Sequence, residues 1–281
     1  MVASNPSMHL GRASRVRSLP PFSPAACKLI QLINDESVHF REVSQVLAVD
    51  AALSGQVLRV ANSALLGCRH GIASILQALF VVGADRLRDI VITVAIHNYL
   101  GHADNAFLHR CWRHNLATAL WCEKLAEYCD VDRPVAYTAG ILHDIGRVAL
   151  LKLFPHEYSA FMERTLTGDK LEAERELCDA DHCQIGEILA DSWAFPPVLR
   201  DVIACHHEKV TRATPRPRLL VHAACMAASI GGFPAVCSEQ AWDPAQIDSL
   251  LPSRTAASAL NYHEMLEAVA LKLNQTECSL L

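Results

Sequence analysis

The sequence predicts an all-α protein, and three observations lead to that class. Hydrophobic residues make up 51% of the 281 residues and charged residues only 20%, so the chain must bury a large core. The 12 glycines and 13 prolines are fewer than average usage supplies, which favours long helices. No segment alternates between apolar and polar residues as a half-buried strand does.

The charge, the apolar runs and the cysteines exclude several classes of protein. A net charge of −5 argues against sequence-independent binding of nucleic acid. The most apolar stretch, Ile90 to Ile96, is far shorter than the roughly 20 residues of a membrane span. The 11 cysteines contain no Cys-x-x-Cys pair and are typical of buried, reduced thiols. We therefore expect a cytoplasmic protein that binds neither nucleic acid nor a membrane.

The first part of the chain predicts a flexible tail over residues 1–18 and then a series of short helices. Ser23 and Pro24 are typical of an N-cap and a first helical turn. Apolar residues at helical spacing continue from there. In the segment Arg86–Leu100 the β-branched run, taken by itself, also fits a strand. The helices expected next are Ser37–Val49, a third capped by Asp50, a fourth from Ser74 that Gly83 ends, and Arg86–Leu100.

The second part of the chain predicts longer helices. The segment Phe107–Tyr128 is apolar nearly all round and should lie at the centre of the fold. Pro134 can open the next helix, which carries Gly140-Ile-Leu-His-Asp-Ile-Gly146. The further helices expected are Tyr158–Leu166, Leu171–Trp193, Pro197–His206, Leu219–Ile230 and, at the end, roughly Ala256–Leu273.

Histidines in a particular order are the candidates for chemistry. Imidazole and carboxylate together are the ligands of Fe, Mn, Zn or Ni. A single histidine on an apolar helix is more often a packed core residue, and a His-His pair at a helix end also suits the helix dipole. The order in which these residues follow one another is a more specific sign of a metal site than any one of them. It consists of His114, His143 with Asp144, His182, and His206 with His207.

This order resembles the HD superfamily and, more narrowly, the HDOD domain, the HD-related output domain of bacterial signalling proteins. The resemblance covers about Leu19 to Arg212, and we expect it to extend to residue 230. The segments that carry it are Leu-Pro-Pro at 19–21, Arg59–Ala64, Ser74–Leu79 with Gly83, Trp112–Ala119, Ala139–Gly146, Glu174 ahead of His182, and Trp193 with Pro196-Pro197 before His206-His207.

The resemblance implies a domain over 19–230, with an N-terminal helical half at 19–100 and an HD-like half at 107–230. Residues 231–281 lie outside it and are expected to form a C-terminal helical extension. In HD phosphohydrolases the metal ligands would correspond to the six residues His114, His143, Asp144, His182, His206 and His207. A closing aspartate of those enzymes aligns with Cys225, and a thiolate does not reproduce a hard oxygen ligand. His222, one turn earlier, is either a further ligand or a packing residue.

Two further departures concern the substrate side of the site. The cyclic-di-GMP phosphodiesterases of the HD-GYP type have lysine where this chain has Arg147. Their Gly-Tyr-Pro motif is also missing after His207, where Glu208 and Lys209 follow. The chain therefore lacks the motif by which that subgroup reads its substrate.

The resemblance implies a signal-transduction output module that acts through partners in trans, such as a kinase, a receiver domain or a cyclic-dinucleotide enzyme. The alternative is a metal-dependent phosphohydrolase that acts on a phosphate ester or nucleotide, with Arg147 or Lys209 contacting the phosphate. In the signalling module these residues would form either a structural metal site or an inherited ligand pocket, and the phosphohydrolase would use one or two divalent ions (Fe, Mn, Zn or Ni). A third interpretation is a metal-free scaffold. Whether the chain is an enzyme stays open, and so does a homodimer.

Overall fold

Helices form the regular structure of this chain in a computed structural model that describes residues 15–16, 18–32, 40–63, 71–101, 105–164, 169–211, 213–236, 243–251 and 260–280. No strand occurs within these ranges, which confirms the all-α prediction. Most of the predicted tail, residues 1–18, lies outside the described residues.

The N-terminal half is a set of helices that begin where the capping residues predict. Ser23 accepts a hydrogen bond from the backbone N–H of Ala26 at 3.3 Å, and Asp50 accepts one from Leu53 at 2.9 Å. Gly83 ends the fourth helix with φ +89°, a conformation that favours glycine. The helices are α1 Pro24–Gln31, α2 Phe40–Ala48, α3 Ala51–Ala61, α4 Ile75–Val82 and α5 Ala84–Leu100. The strand alternative inside α5 is therefore wrong.

The second half and the C-terminal extension follow the predicted order with different boundaries. Two of the predicted helices are each divided in two, and the last helix begins and ends further along the chain than expected. The helices are α6 Ala106–Leu125, α7 Arg133–Leu142, α8 Ile145–Leu153, α9 Pro155–Glu163, α10 Lys170–Cys178, α11 His182–Ser192, α12 Pro197–Cys205, α13 Arg216–Ile230, α14 Pro244–Asp248 and α15 Tyr262–Leu280.

Both divisions have a local cause in the backbone. The predicted helix Leu171–Trp193 is wrong, because Asp179 adopts a left-handed conformation (φ 60°) and Asp181 starts a new helix. The side chain of Asp181 accepts a hydrogen bond from the backbone N–H of Gln184. In turn, the side-chain oxygen of Gln184 accepts one from the backbone N–H of Asp181. The helix that was to carry the His-Asp pair is interrupted at Asp144, which has φ −104° and ψ 20°.

Helix α6 lies at the centre of the second half, as its all-round apolarity predicted. It packs chiefly against α7 and α13, and α15 lies across both α6 and α3. An aromatic cluster joins the two halves: Phe22 stacks on Trp193 with ring centroids 4.9 Å apart, and Tyr99 meets Trp193 edge-on at 5.3 Å. Arg59 of α3 donates to the carbonyl of Leu280 at 2.6 Å, so the last helix also contacts the first half.

Two composition-based expectations can be compared with the described residues. No helix among them is both long and apolar enough to cross a bilayer. The described cysteines are all free thiols; Cys278 is exposed, which differs from the expectation of burial. The proposed division into 19–100, 107–230 and 231–281 stays a prediction.

Candidate functional site: a histidine-rich centre

The break between α7 and α8 positions the His-Asp pair, and two glycines allow neighbouring helices to approach it. A Cβ atom on Gly140 would lie 2.6 Å from the Cα of Ala119 in α6. A Cβ atom on Gly146 would lie only 1.8 Å from the carbonyl oxygen of His182 in α11. The glycines of the motif therefore bring the backbones of α6 and α11 against the segment that carries Asp144.

One group of ligand-type side chains surrounds Asp144. Its ligand atoms and those of His182, His206 and His207 all lie within 4.8 Å of one another. Asp144 Oδ1 lies 3.1 Å from His182 Nε2 and 3.4 Å from His206 Nε2. The first three of these residues are buried, whereas His207 is exposed.

A second group lies directly beside the first. The ligand atoms of His114, His143 and Cys225 are also within 4.8 Å of one another. Cys225 Sγ lies 3.5 Å from His114 Nε2, and His114 Nε2 lies 3.8 Å from Asp144 Oδ2, which connects the two groups. All six predicted ligands, together with Cys225, therefore converge at one place in the structure.

The ring orientations leave metal-binding nitrogen atoms facing the centre. In each of four histidines Nδ1 contacts an oxygen atom, which is the arrangement that fixes the ring of a metal ligand. These contacts are His114 with the carbonyl of Phe233 (2.7 Å), His143 with that of Gly140 (2.7 Å), His206 with that of Ile203 (3.2 Å), and His182 with the carboxylate of Glu174 (2.6 Å). His222 Nδ1 makes the same kind of contact, with the carbonyl of His206 (2.8 Å), but His222 belongs to neither of the two ligand groups.

Three buried polar atoms at the centre have no hydrogen-bond partner, and a metal ion would satisfy them. They are Nε2 of His143, Oδ1 of Asp144 and Nε2 of His206. Buried polar groups are nearly always paired, so an unpaired set that converges indicates a ligand. Burial holds the pKa of His114 and of His143 below the ordinary value, which favours the neutral ring that binds a metal. By contrast, Cys183 and Asp144 raise the pKa of His182 and of His206 against the effect of burial, so a metal ion would displace protons from those two rings. The residues present therefore fit a divalent metal.

Arg147 is buried beside this centre and is fully engaged inside the protein. Its Nε donates to Asp144 Oδ2 at 2.7 Å, and its Nη1 donates to the Tyr158 hydroxyl at 3.0 Å and to Glu174 Oε1 at 2.5 Å. Burial alone would raise the pKa of Asp144, but Arg147 and the neighbouring histidines hold it well below its usual range. Arg147 thus stabilises the charged form of the central carboxylate.

Glu174 supports the same centre from α10. Its Oε2 accepts from the backbone N–H of His182 at 2.9 Å as well as from that ring. Burial would raise the pKa of Glu174, but His182 and Arg147 lower it to about 2. In the sequence, Glu174 stands out only as part of the resemblance, whereas in the structure its carboxylate fixes the His182 ring.

A cavity of about 230 Å³ opens onto the centre. The centre itself contributes His114, Asp144, His206 and His207 to the walls, and Lys170 lines it as well. Lys209 is exposed and does not line this cavity. The assignment of Arg147 or Lys209 to a phosphate stays a prediction, and Lys170 is a residue that the sequence reasoning missed.

Cys183 is the other residue that the sequence reasoning missed. Its Sγ lies 3.6 Å from His182 Nε2 and 3.9 Å from His206 Nδ1. The only signal in the sequence was its position directly after His182. A second thiol therefore lies against the histidine cluster.

Comparison with known proteins identifies the family. The model of the HDOD domain matches residues 19–209. An uncharacterized protein of Treponema pallidum (strain Nichols) is 23% identical over 206 residues, which are 69% of this chain. The match covers 39% of that curated relative, so the chain spans less than half of its length.

Several solved structures share the fold. One from Shewanella amazonensis SB2B, named as a candidate phosphohydrolase, is 23% identical with a TM-score of 0.70, over 98% of this chain and 100% of that one. An HDOD domain protein with unknown function from Geobacter sulfurreducens is 21% identical with a TM-score of 0.71, over 97% and 98%. One from Marinobacter aquaeolei VT8, named as a candidate signal transduction protein, is 17% identical with a TM-score of 0.73, over 96% and 65%.

Proposed function

The chain belongs to the HDOD domain family, and we propose that it is a signal-transduction output module whose histidine-rich centre binds one divalent metal ion. The observation that carries this proposal is the pair of unpaired, buried atoms Asp144 Oδ1 and His206 Nε2, within the group of four ligand-type side chains around Asp144. The bound ion would hold α8, α11 and α12 in one arrangement, because each of its ligands lies at an end of one of them. The surface of these helices would then be recognised by a partner in trans: a kinase, a receiver domain or a cyclic-dinucleotide enzyme.

Two residues at the centre, Arg147 and Cys225, favour a binding module over a catalyst. Arg147 donates to Asp144, Tyr158 and Glu174 and so has few donors left for a substrate. Cys225 stands where a carboxylate would complete the ligand set. Burial and the nearby Asp144 raise the pKa of this thiol to about 12, so it is a neutral S–H group in the structure described. The second group of ligands therefore lacks an anionic member.

A metal-dependent phosphohydrolase acting on a phosphate ester or nucleotide is the second candidate, because the cavity opens onto the cluster and has Lys170 on its wall. A divalent metal bound there would lower the pKa of a water molecule and stabilise charge on a phosphoryl group. Lys170 would attract the phosphate to the cavity, and the fixed imidazoles of His114 and His206 would keep their Nε2 atoms directed at the centre.

Metal content and hydrolysis measured on the same preparations distinguish the two functions. The purified chain should carry about one equivalent of Fe, Mn, Zn or Ni by elemental analysis, and Asp144→Ala should carry less than about a tenth. The matched control is His263→Ala, which removes an exposed histidine of α15 and should leave the metal content unchanged. A wild type without metal would contradict both metal-dependent functions.

The hydrolysis assay uses p-nitrophenyl phosphate, its bis ester and common nucleotides. We expect no turnover by the metal-loaded wild type, and turnover in Cys225→Asp would identify the thiol as the reason. Turnover by the wild type that Asp144→Ala loses and His263→Ala retains would show instead that the chain is a phosphohydrolase.

A further inference from the structure

A second cavity, of about 350 Å³, opens between the two halves and the C-terminal helix, and shares no lining residue with the histidine-rich centre. Its walls come from α3, α5, α6, α7 and α15. Its volume falls in the range of small-molecule pockets, about 300–1,000 Å³. Nothing in the proposed metal-binding function uses this cavity.

A buried carboxylate at this cavity has an unused acceptor. Asp89 is 7% exposed, and its Oδ2 lies 3.5 Å from Arg133 Nη2. Its Oδ1 is buried and has no hydrogen-bond partner. An unpaired carboxylate oxygen is a costly group to bury, and Asp89 is one of the residues that line the cavity, which favours a ligand that donates an N–H or O–H.

The remaining walls are mostly apolar, with the hydroxyl groups of Thr93, Tyr137 and Thr276 and the amide of Gln275 among them. Val60, Ile90 and Leu120 come from three different helices. The hydroxyl groups of Tyr137 and Thr93 are hydrogen-bonded to each other at 2.8 Å. These walls suit the flat or branched apolar body of an organic molecule rather than a bare inorganic ion.

The outer part of the cavity is cationic. Arg86 is exposed, and the Lys272 side chain is 45% exposed. Glu123 pairs with both Lys272 and Arg133, which leaves Arg86 as a cation with no carboxylate partner among the described residues. Such a rim repels a cationic amine and attracts an anion.

We propose that this cavity binds a small organic anion with an apolar body and one N–H or O–H donor. The donor meets Asp89 Oδ1, the body lies against the apolar walls, and the anionic group meets Arg86 at the rim. Because the walls come from both halves and from α15, a bound anion stabilises their mutual packing by mass action. The cavity is thus an input site that is separate from the histidine-rich centre.

Two dyes of the same shape test the proposal on the full chain. 8-Anilino-1-naphthalenesulfonate has an aromatic body, an N–H and a sulfonate, whereas N-phenyl-1-naphthylamine lacks the sulfonate. Fluorescence titration should show that the sulfonated dye binds at least about fivefold more tightly. Arg86→Glu, an exposed change that leaves the core intact, should remove that preference and leave the affinity for the neutral dye within about twofold. An unchanged preference in Arg86→Glu would overturn the proposal.

Two further variants locate the dyes in the cavity. Ala268→Trp fills it and should abolish binding of both dyes, whereas the control Leu177→Trp, on the surface of α10 away from this cavity, should bind as wild type does. At pH 8, where Asp89 with its pKa raised to about 7 is ionised, Asp89→Asn should weaken both dyes about fivefold, because a hydrogen bond to an amide oxygen is weaker than one to a carboxylate. If folded Ala268→Trp, checked by circular dichroism, binds both dyes like the wild type, the dyes bind elsewhere and the proposal is wrong.

Discussion

Gly146 is the position at which one methyl group should do the most damage to the histidine-rich centre. In Gly146→Ala the new Cβ would lie 1.8 Å from the carbonyl oxygen of His182 and 2.8 Å from the backbone nitrogen of Gly186. Both neighbours are backbone atoms, so no rotamer change relieves the contact. The separation of the new Cβ from the carbonyl must grow from 1.8 Å to at least 3.0 Å, and α8 must move away from α11.

The expected cost follows from that movement. Overpacking of a core costs about 1–3 kcal/mol where side chains can adjust, and a contact between two backbones belongs at the upper end or above it. We expect the free energy of unfolding to fall by at least about 3 kcal/mol, which lowers the melting temperature by roughly 6 °C or more in a chain of this size. The same shift separates Asp144 Oδ1 from His182 Nε2, now 3.1 Å apart, so metal affinity should fall as well.

Urea unfolding followed by circular dichroism measures the loss, with metal content determined on the folded fraction. The matched control is Gly55→Ala in α3, where a Cβ meets nothing within 4 Å. That change should stabilise the protein by about 0.5–1 kcal/mol, because alanine is the better helix former. A loss below about 1 kcal/mol in Gly146→Ala, or equal effects of the two changes, would refute the close approach of α8 and α11.

Three smaller perturbations test other parts of the structure by urea unfolding. Glu174 has a folded-state pKa of about 2, below its ordinary 4.5, so about 3 kcal/mol of stability should be lost as the pH falls from about 4.5 to 2, and Glu174→Gln should lack that step. Burial raises the pKa of Asp89 from 3.8 to about 7, so the pH dependence of stability has the opposite sign at this residue. The free energy of unfolding should fall by up to about 4 kcal/mol as the pH rises from 3.8 to 7, because the buried group then ionises. Relative to the wild type, Asp89→Asn should therefore be more stable at pH 8 than at pH 5. Asn105 caps α6 by accepting from two backbone N–H groups, so Asn105→Ala should cost about 1 kcal/mol at any of these pH values. The argument for Glu174 would be contradicted if the stability of the wild type did not change between pH 4.5 and 2. The argument for Asp89 would be contradicted if the effect of Asp89→Asn on stability were independent of pH, and the one for Asn105 if Asn105→Ala left the stability unchanged.

The sequence was sufficient for the helical class and for the order of the ligands. Apolar periodicity predicted most helices to within a few residues, and the N-caps at Ser23, Asp50 and Ser74 were confirmed. Resemblance, rather than periodicity, singled out the six ligand positions, because their convergence depends on contacts between helices that are distant in sequence. The closest is the contact between Asp144 and His182, 38 positions apart in the chain.

The helix breaks show what periodicity does not detect. Apolar residues continue at helical spacing on both sides of Asp179, so the pattern reads as one helix although the chain turns there. A capping signal was present, since Asp181 is followed three residues later by Gln184. At Asp144 no such signal exists; there the Asp144 side chain accepts from Arg147 three residues later, and Gly146 lies against the backbone of α11.

The charges at the centre determine how many metal ions this chain can hold. The carboxylates of Asp144 and Glu174 both pair with the single guanidinium of Arg147, so the centre offers little net negative charge to divalent ions. A second ion beside His114, His143 and Cys225 would have to share Asp144, whose Oδ2 lies 3.8 Å from His114 Nε2, and would gain no anionic ligand of its own. One equivalent of metal is therefore expected, and Cys225→Asp, which supplies the missing anion, should raise it to about two. A wild type that holds two equivalents would refute this charge argument.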